Sequence, residues 1–245
     1  VRGGEVPRLP PGRAVTNGPL HLQLVQPTLD DLTAVAKRWA SEPTERRPRP
    51  VRRLPTSVAR GDLPPSASKL LLGLGGPEVE PVGVDLTRGA PVLLVAGPIQ
   101  SGRSTALLSA LLGITEDEPD RRVLVVSSRP GPLRQHAAAA EGIELVTAPT
   151  DVCDALDRLL DAAGPAVVVI DDAEGLAGQL GVGERLDRLL RGASERGDRV
   201  LLGARLADLA SIFEPWARFV TSLRRLVLLQ PTNEEAFGMG LRLPP

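Results

Sequence analysis

From about residue 66 onward, short aliphatic runs alternate with stretches in which apolar residues recur every three or four positions. The runs fall at 92–96, 123–127, 143–146, 166–170, 200–203 and 226–229. Each is apolar at nearly every position, the pattern of strands buried on both faces in a parallel sheet. The helical stretches fall at 103–112, 133–140, 150–162, 183–192 and 206–213. Residues 70–74 and 82–86 add a short antiparallel pair ahead of them. Strand and helix in regular alternation predict an α/β domain, a mostly parallel sheet flanked by helices.

The front of the chain reads differently. Residues 1–65 are rich in Pro and Arg, with weak patterning: residues 21–25 (HLQLV) alternate like a strand, and Thr28 opens a helix running to about Ala40. The segment SEPTERRPRP at 41–50 cannot be regular structure and reads as a linker or strap. The predicted organisation is therefore an appendage over 1–65 and the α/β domain over 66–245. Leu9-Pro10-Pro11 recurs as Leu243-Pro244-Pro245, which suggests a slice of a tandem array beginning with the tail of a preceding module.

Composition narrows the classes. The chain is 42% hydrophobic but only 2% aromatic, with no Tyr, so the core must be built from Leu, Val and Ala. A net charge of −1 gives no whole-molecule argument for DNA or an anionic membrane. The strap arginines have no aromatics between them and read as a solvated surface. No apolar run reaches the ~18 residues that span a bilayer, and no signal-peptide pattern opens the chain. The single Cys153 leaves no internal disulfide and fits a reducing compartment, and His21 and His136 stand apart from any zinc-ligating cluster. A cytoplasmic location is expected, with membrane association only through the rest of a parent protein.

The chemistry lies between the first strand and first helix of the domain. Gly97-Pro98-Ile99-Gln100-Ser101-Gly102-Arg103-Ser104 matches the phosphate-binding loop, Gly, four residues, Gly-Lys, then Ser or Thr, at every place except the lysine, which is Arg103. A strand, a Gly-bounded turn and a helix N-terminus make an anion site, because unpaired backbone N–H groups converge at the positive end of the helix dipole. Residues 97–105, Thr105 included, are the predicted nucleotide-binding set. A second element follows about 70 residues later. Ala166-Val167-Val168-Val169-Ile170 runs into Asp171-Asp172, two carboxylates at the strand end that faces the ligand crevice of such sheets.

Position assigns roles. Ser104 would place its hydroxyl on Mg²⁺, and Asp171 would hold the metal through water. Asp172 stands where hydrolytic enzymes carry the base that orients water, usually Glu. Asp is one methylene shorter and falls about 1.5 Å short, a misplacement that can cost ~100-fold. Lysine acts at Arg103's place as a compact point charge; guanidinium is larger and forked, so binding can survive where catalysis does not. Arg205, after the strand at 200–204, is either a γ-phosphate sensor or a surface residue.

These residues resemble the FtsK/SpoIIIE family of P-loop translocases, through the degenerate loop, the Ile170-Asp171-Asp172 strand end and the lead-in Leu72-Gly73-Leu74-Gly75 with Pro81-Val82-Gly83-Val84-Asp85-Leu86. The flanks are similar to those of EccC, the motor of actinobacterial type VII secretion. Leu9-Pro10-Pro11-Gly12-Arg13 with Leu20-His21-Leu22-Gln23-Leu24 looks like the segment following each of its ATPase modules, except that Ala14 stands where a second Gly is usual. Trp39 and the run Pro50-Val51-Arg52-Arg53-Leu54-Pro55 resemble its inter-module strap. Glu214-Pro215-Trp216, Leu228-Leu229-Gln230-Pro231 and Gly238-Met239-Gly240-Leu241 resemble its closing segment. The resemblance implies a RecA-like P-loop domain, ATP and Mg²⁺ as cofactors, and sibling ATPase modules in tandem or in a hexameric ring. It also implies a secreted-substrate peptide as a partner, with later modules of the array binding nucleotide or docking substrates. The expectation is an ATP-binding, weakly or non-hydrolytic module. Its rivals are a DNA-translocating ATPase of the same fold, left room by the Arg-rich front, and a pseudo-ATPase interaction module that has lost nucleotide.

Overall fold

The computed structural model describes residues 13–15, 21–23, 27–41, 43, 52–64, 66 and 69–240. The repeated Leu-Pro-Pro tripeptides, Leu24 and Val25 of the front strand, and most of the Pro/Arg strap lie outside them. The chain divides into two compact units, Val1–Val51 and Arg52–Pro245.

In the first unit, β1 (Arg13–Val15) pairs antiparallel with β2 (His21–Gln23). A helix, α1 (Leu29–Ala40), follows. It starts where expected because Thr28 and Asp31 form a reciprocal cap: the Thr28 N–H donates to Asp31 Oδ2 at 2.8 Å, and the Asp31 N–H to Thr28 Oγ1 at 3.2 Å.

The second unit opens with an antiparallel pair, β3 (Leu70–Gly75) and β4 (Glu80–Val84). Then come β5 (Val92–Ala96), α2 (Arg103–Asp117), β6 (Arg122–Val126), α3 (Pro132–Ala139), β7 (Ile143–Val146), α4 (Val152–Asp161), β8 (Ala166–Ile170), α5 (Val182–Arg196) and β9 (Arg199–Ala204). Two short helices, α6 (Leu206–Ser211) and α7 (Pro215–Ser222), lead to β10 (Leu226–Leu228) and α8 (Asn233–Gly238). The six strands from β5 onward form one parallel sheet in the order β10-β5-β9-β8-β6-β7. The predicted α/β class and its parallel sheet are present as read.

Alternation within the strands explains the layers. Leu93 and Val95 of β5 face a cluster with Leu107 and Leu111 of α2 and Leu133 of α3. Val92, Leu94 and Ala96 face the other way, onto Leu156 of α4, Leu186 and Leu189 of α5, and Trp216 of α7. Both faces of the sheet are covered, which is why the strands read as unbroken aliphatic runs. The predicted helix at 150–162 begins as a single 3₁₀ turn at Pro149–Asp151 before α4. The helix read at 183–192 extends as α5 to Arg196, where Gly197 caps it in the left-handed region. Short α7 and α8 carry too few turns for a periodic signal and lie beyond the elements read from the sequence.

Candidate functional site

The loop after β5 is shaped by steric need. A Cβ on Gly97 would lie 2.6 Å from Ser101 Oγ and 2.8 Å from the Leu229 carbonyl, so only glycine lets the chain turn this tightly. Gln100 and Gly102 take positive φ, 66° and 95°. These turns direct the loop backbone toward the start of α2. Ser101 Oγ is buried with no hydrogen-bond partner among the described residues. A hydroxyl left unpaired in a loop of this shape is open to an acceptor from outside the chain. A cavity of about 370 Å³ lies over the loop, with Gly102, Arg103, Ser104, Arg129, Gly131 and Asp172 on its wall.

The acidic strand end reaches this loop across an intervening strand, because β9 separates β8 from β5. Gly203 makes that reach possible: a Cβ there would lie 2.9 Å from Asp171 Oδ1 and 2.7 Å from Leu107 Cδ1. Ser104 and Asp171 come together as expected, with the Ser104 hydroxyl donating to Asp171 Oδ2 at 2.5 Å. Burial raises the Asp171 carboxyl above its ordinary value; the Ser104 hydrogen bond pulls it down, neighbouring Asp172 pushes it up, and Arg103 pulls it down. For a carboxylate with a raised folded pKa, the folded state holds the proton more tightly, so stability falls as pH climbs from the ordinary carboxylate value of 3.8 toward the folded one. Asp171→Asn removes the buried charge while its amide can still serve Ser104 and the Asp172 N–H. It should therefore melt higher than the parent at neutral pH, with the advantage shrinking as pH falls toward 4, about the carboxylate range. Melting curves across that window check this.

Arg103 departs most from the expected picture. Its side chain is 7% exposed and does not project from the loop. Nη1 donates to the Gly97 carbonyl at 3.0 Å, Nη2 makes a short ion pair with Asp172 Oδ1, and Nη1 lies 3.6 Å from Glu174 Oε1. The two substitutions in the motif thus touch each other: the guanidinium at the lysine's place grips the aspartate at the base's place. Asp172 has φ 56°, a left-handed conformation that Asp tolerates better than most residues. Asp172 caps the 3₁₀ helix Ala173–Leu176, which carries Glu174.

Glu174 and Arg129 were not among the residues singled out from sequence. Arg129 Nε stands 3.3 Å from Asp172 Oδ2, just past the end of β6. Both lie at C-terminal ends of parallel strands, the general location of ligand crevices, and that rule is the signal that could have found them. Arg205 contacts Glu174 Oε1 at 3.4 Å and pairs with Asp208. It is joined to the loop through Glu174.

A parallel sheet in this order, a phosphate loop entering α2 and an acidic strand end across β9 define a RecA-like P-loop ATPase fold. Among known proteins, the chain is similar to ATPase domains of type VII secretion motors. No family model matches the chain. Over 122 residues, 48% of this chain and 9% of the relative, it is 34% identical to the ESX-3 secretion system protein EccC3 of Mycobacterium tuberculosis. The cytoplasmic domain of the Thermomonospora curvata type VII secretion ATPase EccC superposes with a TM-score of 0.64 at 20% identity, covering 94% of this chain and 31% of that one. ATPases 2 and 3 of the same EccC, in complex with a signal sequence peptide, give 0.66 at 20% identity, covering 94% and 48%. The resemblance to EccC-type modules read from the sequence holds in the structure. The chain spans about a tenth of the EccC3 relative and under half of each EccC chain.

Proposed function

We propose that this chain is an ATP-binding, weakly or non-hydrolytic module of a type VII-like secretion motor, acting in regulation or substrate docking. The Arg103–Asp172 ion pair carries the reading. Hydrolysis needs a carboxylate free to orient water and a cation aligned on the γ-phosphate. Here each is spent on the other. The loop, its unpaired Ser101 hydroxyl and the cavity above it support retained nucleotide binding, with residues 97–105 as the phosphate cradle. Ser104 and Asp171 form the hydroxyl–carboxylate pair of such a site; magnesium is the expected component that the surrounding charges accommodate least.

Sibling modules in tandem or in a ring fit the short share of the relatives that this chain spans. The signal sequence peptide bound by Thermomonospora curvata EccC makes a secreted-substrate peptide the favoured partner over DNA. Among the described residues no helix is long and apolar enough to cross a membrane. We place the module on the cytoplasmic side, reaching the membrane only through the rest of a longer protein.

Restoring both positions tests the reading. Arg103→Lys with Asp172→Glu should raise single-turnover phosphate release by about 100-fold, the scale on which a misplaced catalytic group costs rate. Unchanged release with intact ATP binding would place the defect elsewhere, for instance in an arginine supplied by a neighbouring module.

A further inference from the structure

The acidic end of β8 already carries its own counter-charge. Asp172 offers Oδ1 to Arg103 and Oδ2 to Arg129. Glu174 Oε1 lies between Arg103 Nη1 at 3.6 Å and Arg205 Nε at 3.4 Å. Asp171 accepts the Ser104 hydroxyl on Oδ2 and the Asp172 N–H on Oδ1 at 3.1 Å. Three guanidinium groups therefore bear on Asp172 and Glu174, and both oxygens of Asp171 hold donors.

A resident magnesium ion fits this arrangement poorly. Mg²⁺ demands an octahedral shell of oxygens, several of them waters held by free carboxylate lone pairs. The Ser104–Asp171 pair is present, but Asp172 meets a guanidinium at each oxygen and Glu174 meets two at Oε1. This leaves Glu174 Oε2 as the one oxygen of these two carboxylates without a partner among the described residues. A divalent ion beside buried Arg103 would meet like charge in a poorly screened environment. A bare polyphosphate fits better. Guanidinium is a planar fork matched to phosphate oxygens, and it cannot lose its charge. Arg129 lines the same cavity as Arg103 and is 55% exposed, free to turn from Asp172 toward an anion above the loop.

Resting on the nucleotide-binding reading above, we infer that this module takes ATP without a divalent cation, with Arg103 occupying the carboxylates that would otherwise help to hold the ion and Arg129 supplying positive charge to the phosphates. The inference concerns binding and needs no chemical step.

The test is a titration of the protein with a fluorescent ATP analogue in excess MgCl₂ and again in EDTA. The dissociation constant of the natural sequence should agree within about threefold between the two conditions. Lysine is a single point charge that cannot span Asp172 and Glu174 together, so in Arg103→Lys chelation should weaken binding by about tenfold or more. A loss of about tenfold on chelation in the natural sequence would overturn the inference while leaving nucleotide binding intact. No binding in either condition would remove the nucleotide reading and this inference with it. Binding that ignores magnesium in both proteins would remove Arg103 from the role. The natural-sequence comparison decides the main point even if the variant folds poorly.

Discussion

Replacing Arg103 with methionine should lower the stability of the nucleotide-free protein by about 3 kcal/mol, because it strips a buried cation from two carboxylates that stay behind. Asp172 and Glu174 are 13% and 9% exposed, and neither can recover full hydration in place. Arg129 and Arg205 remain as partial partners, which keeps the loss from being larger. Asp172→Asn alone removes one acceptor and leaves Arg103 with Glu174, so its cost should be smaller. The double variant should be more stable than the sum of the two losses predicts, by about 1–3 kcal/mol, the range for residues in direct contact. Urea unfolding of the four proteins closes this cycle. Strict additivity would mean that the ion pair does not organise the site.

Trp216→Ala should be at least as damaging, at about 3–5 kcal/mol. The indole is fully buried among α5, α6 and β5 residues, and its Nε1–H donates to Glu214 Oε2 at 2.8 Å. Glu214 also accepts the Gly178 N–H through Oε1 at 2.7 Å, tying the start of α7 to the turn before α5. Removing the ring leaves a cavity and frees a carboxylate that two elements share. Trp216→Phe keeps most of the volume and loses the N–H, so it should recover more than half of the loss. Melting temperatures of the two variants separate packing from the hydrogen bond; equal losses would mean that the hydrogen bond dominates.

The sheet was legible because its strands are buried on both faces, so runs such as Val167-Val168-Val169 carry no polar interruption. Helix α5 was legible through its apolar repeat at Leu186, Leu189, Leu190 and Ala193. Helix α7 was not. Its start is marked by Pro215 in the first turn after Glu214, a recognised signal, but eight residues give little periodicity to support it. The loop and Asp171 were legible as motif and strand end, and their meeting at Ser104 follows from the parallel register. What could not be read was the direction of Arg103. A lysine-place residue is expected to face phosphate, whereas Arg103 pairs with Asp172, which sits in a left-handed bend, and lies near Glu174 two residues further on. That bend is a tertiary outcome, written in no local pattern. Gly203 belongs to the same class, since its lack of a side chain matters only because Asp171 crosses above β9.

The two motif departures, read separately, would each weaken an ATPase. In the folded protein they are one ion pair, and on it rests the proposal of a site that holds nucleotide and does not turn it over. The most direct test is a single-turnover experiment on the unaltered sequence. Protein in excess of γ-labelled ATP is incubated, and bound label is resolved into ATP and free phosphate over time. Saturable binding with the label recovered as ATP, at release rates far below the ~1 s⁻¹ lower end of ordinary enzyme turnover, is the predicted result. Release of phosphate at about 1 s⁻¹ or faster would contradict it and show that the Arg103–Asp172 pair opens to form a working site.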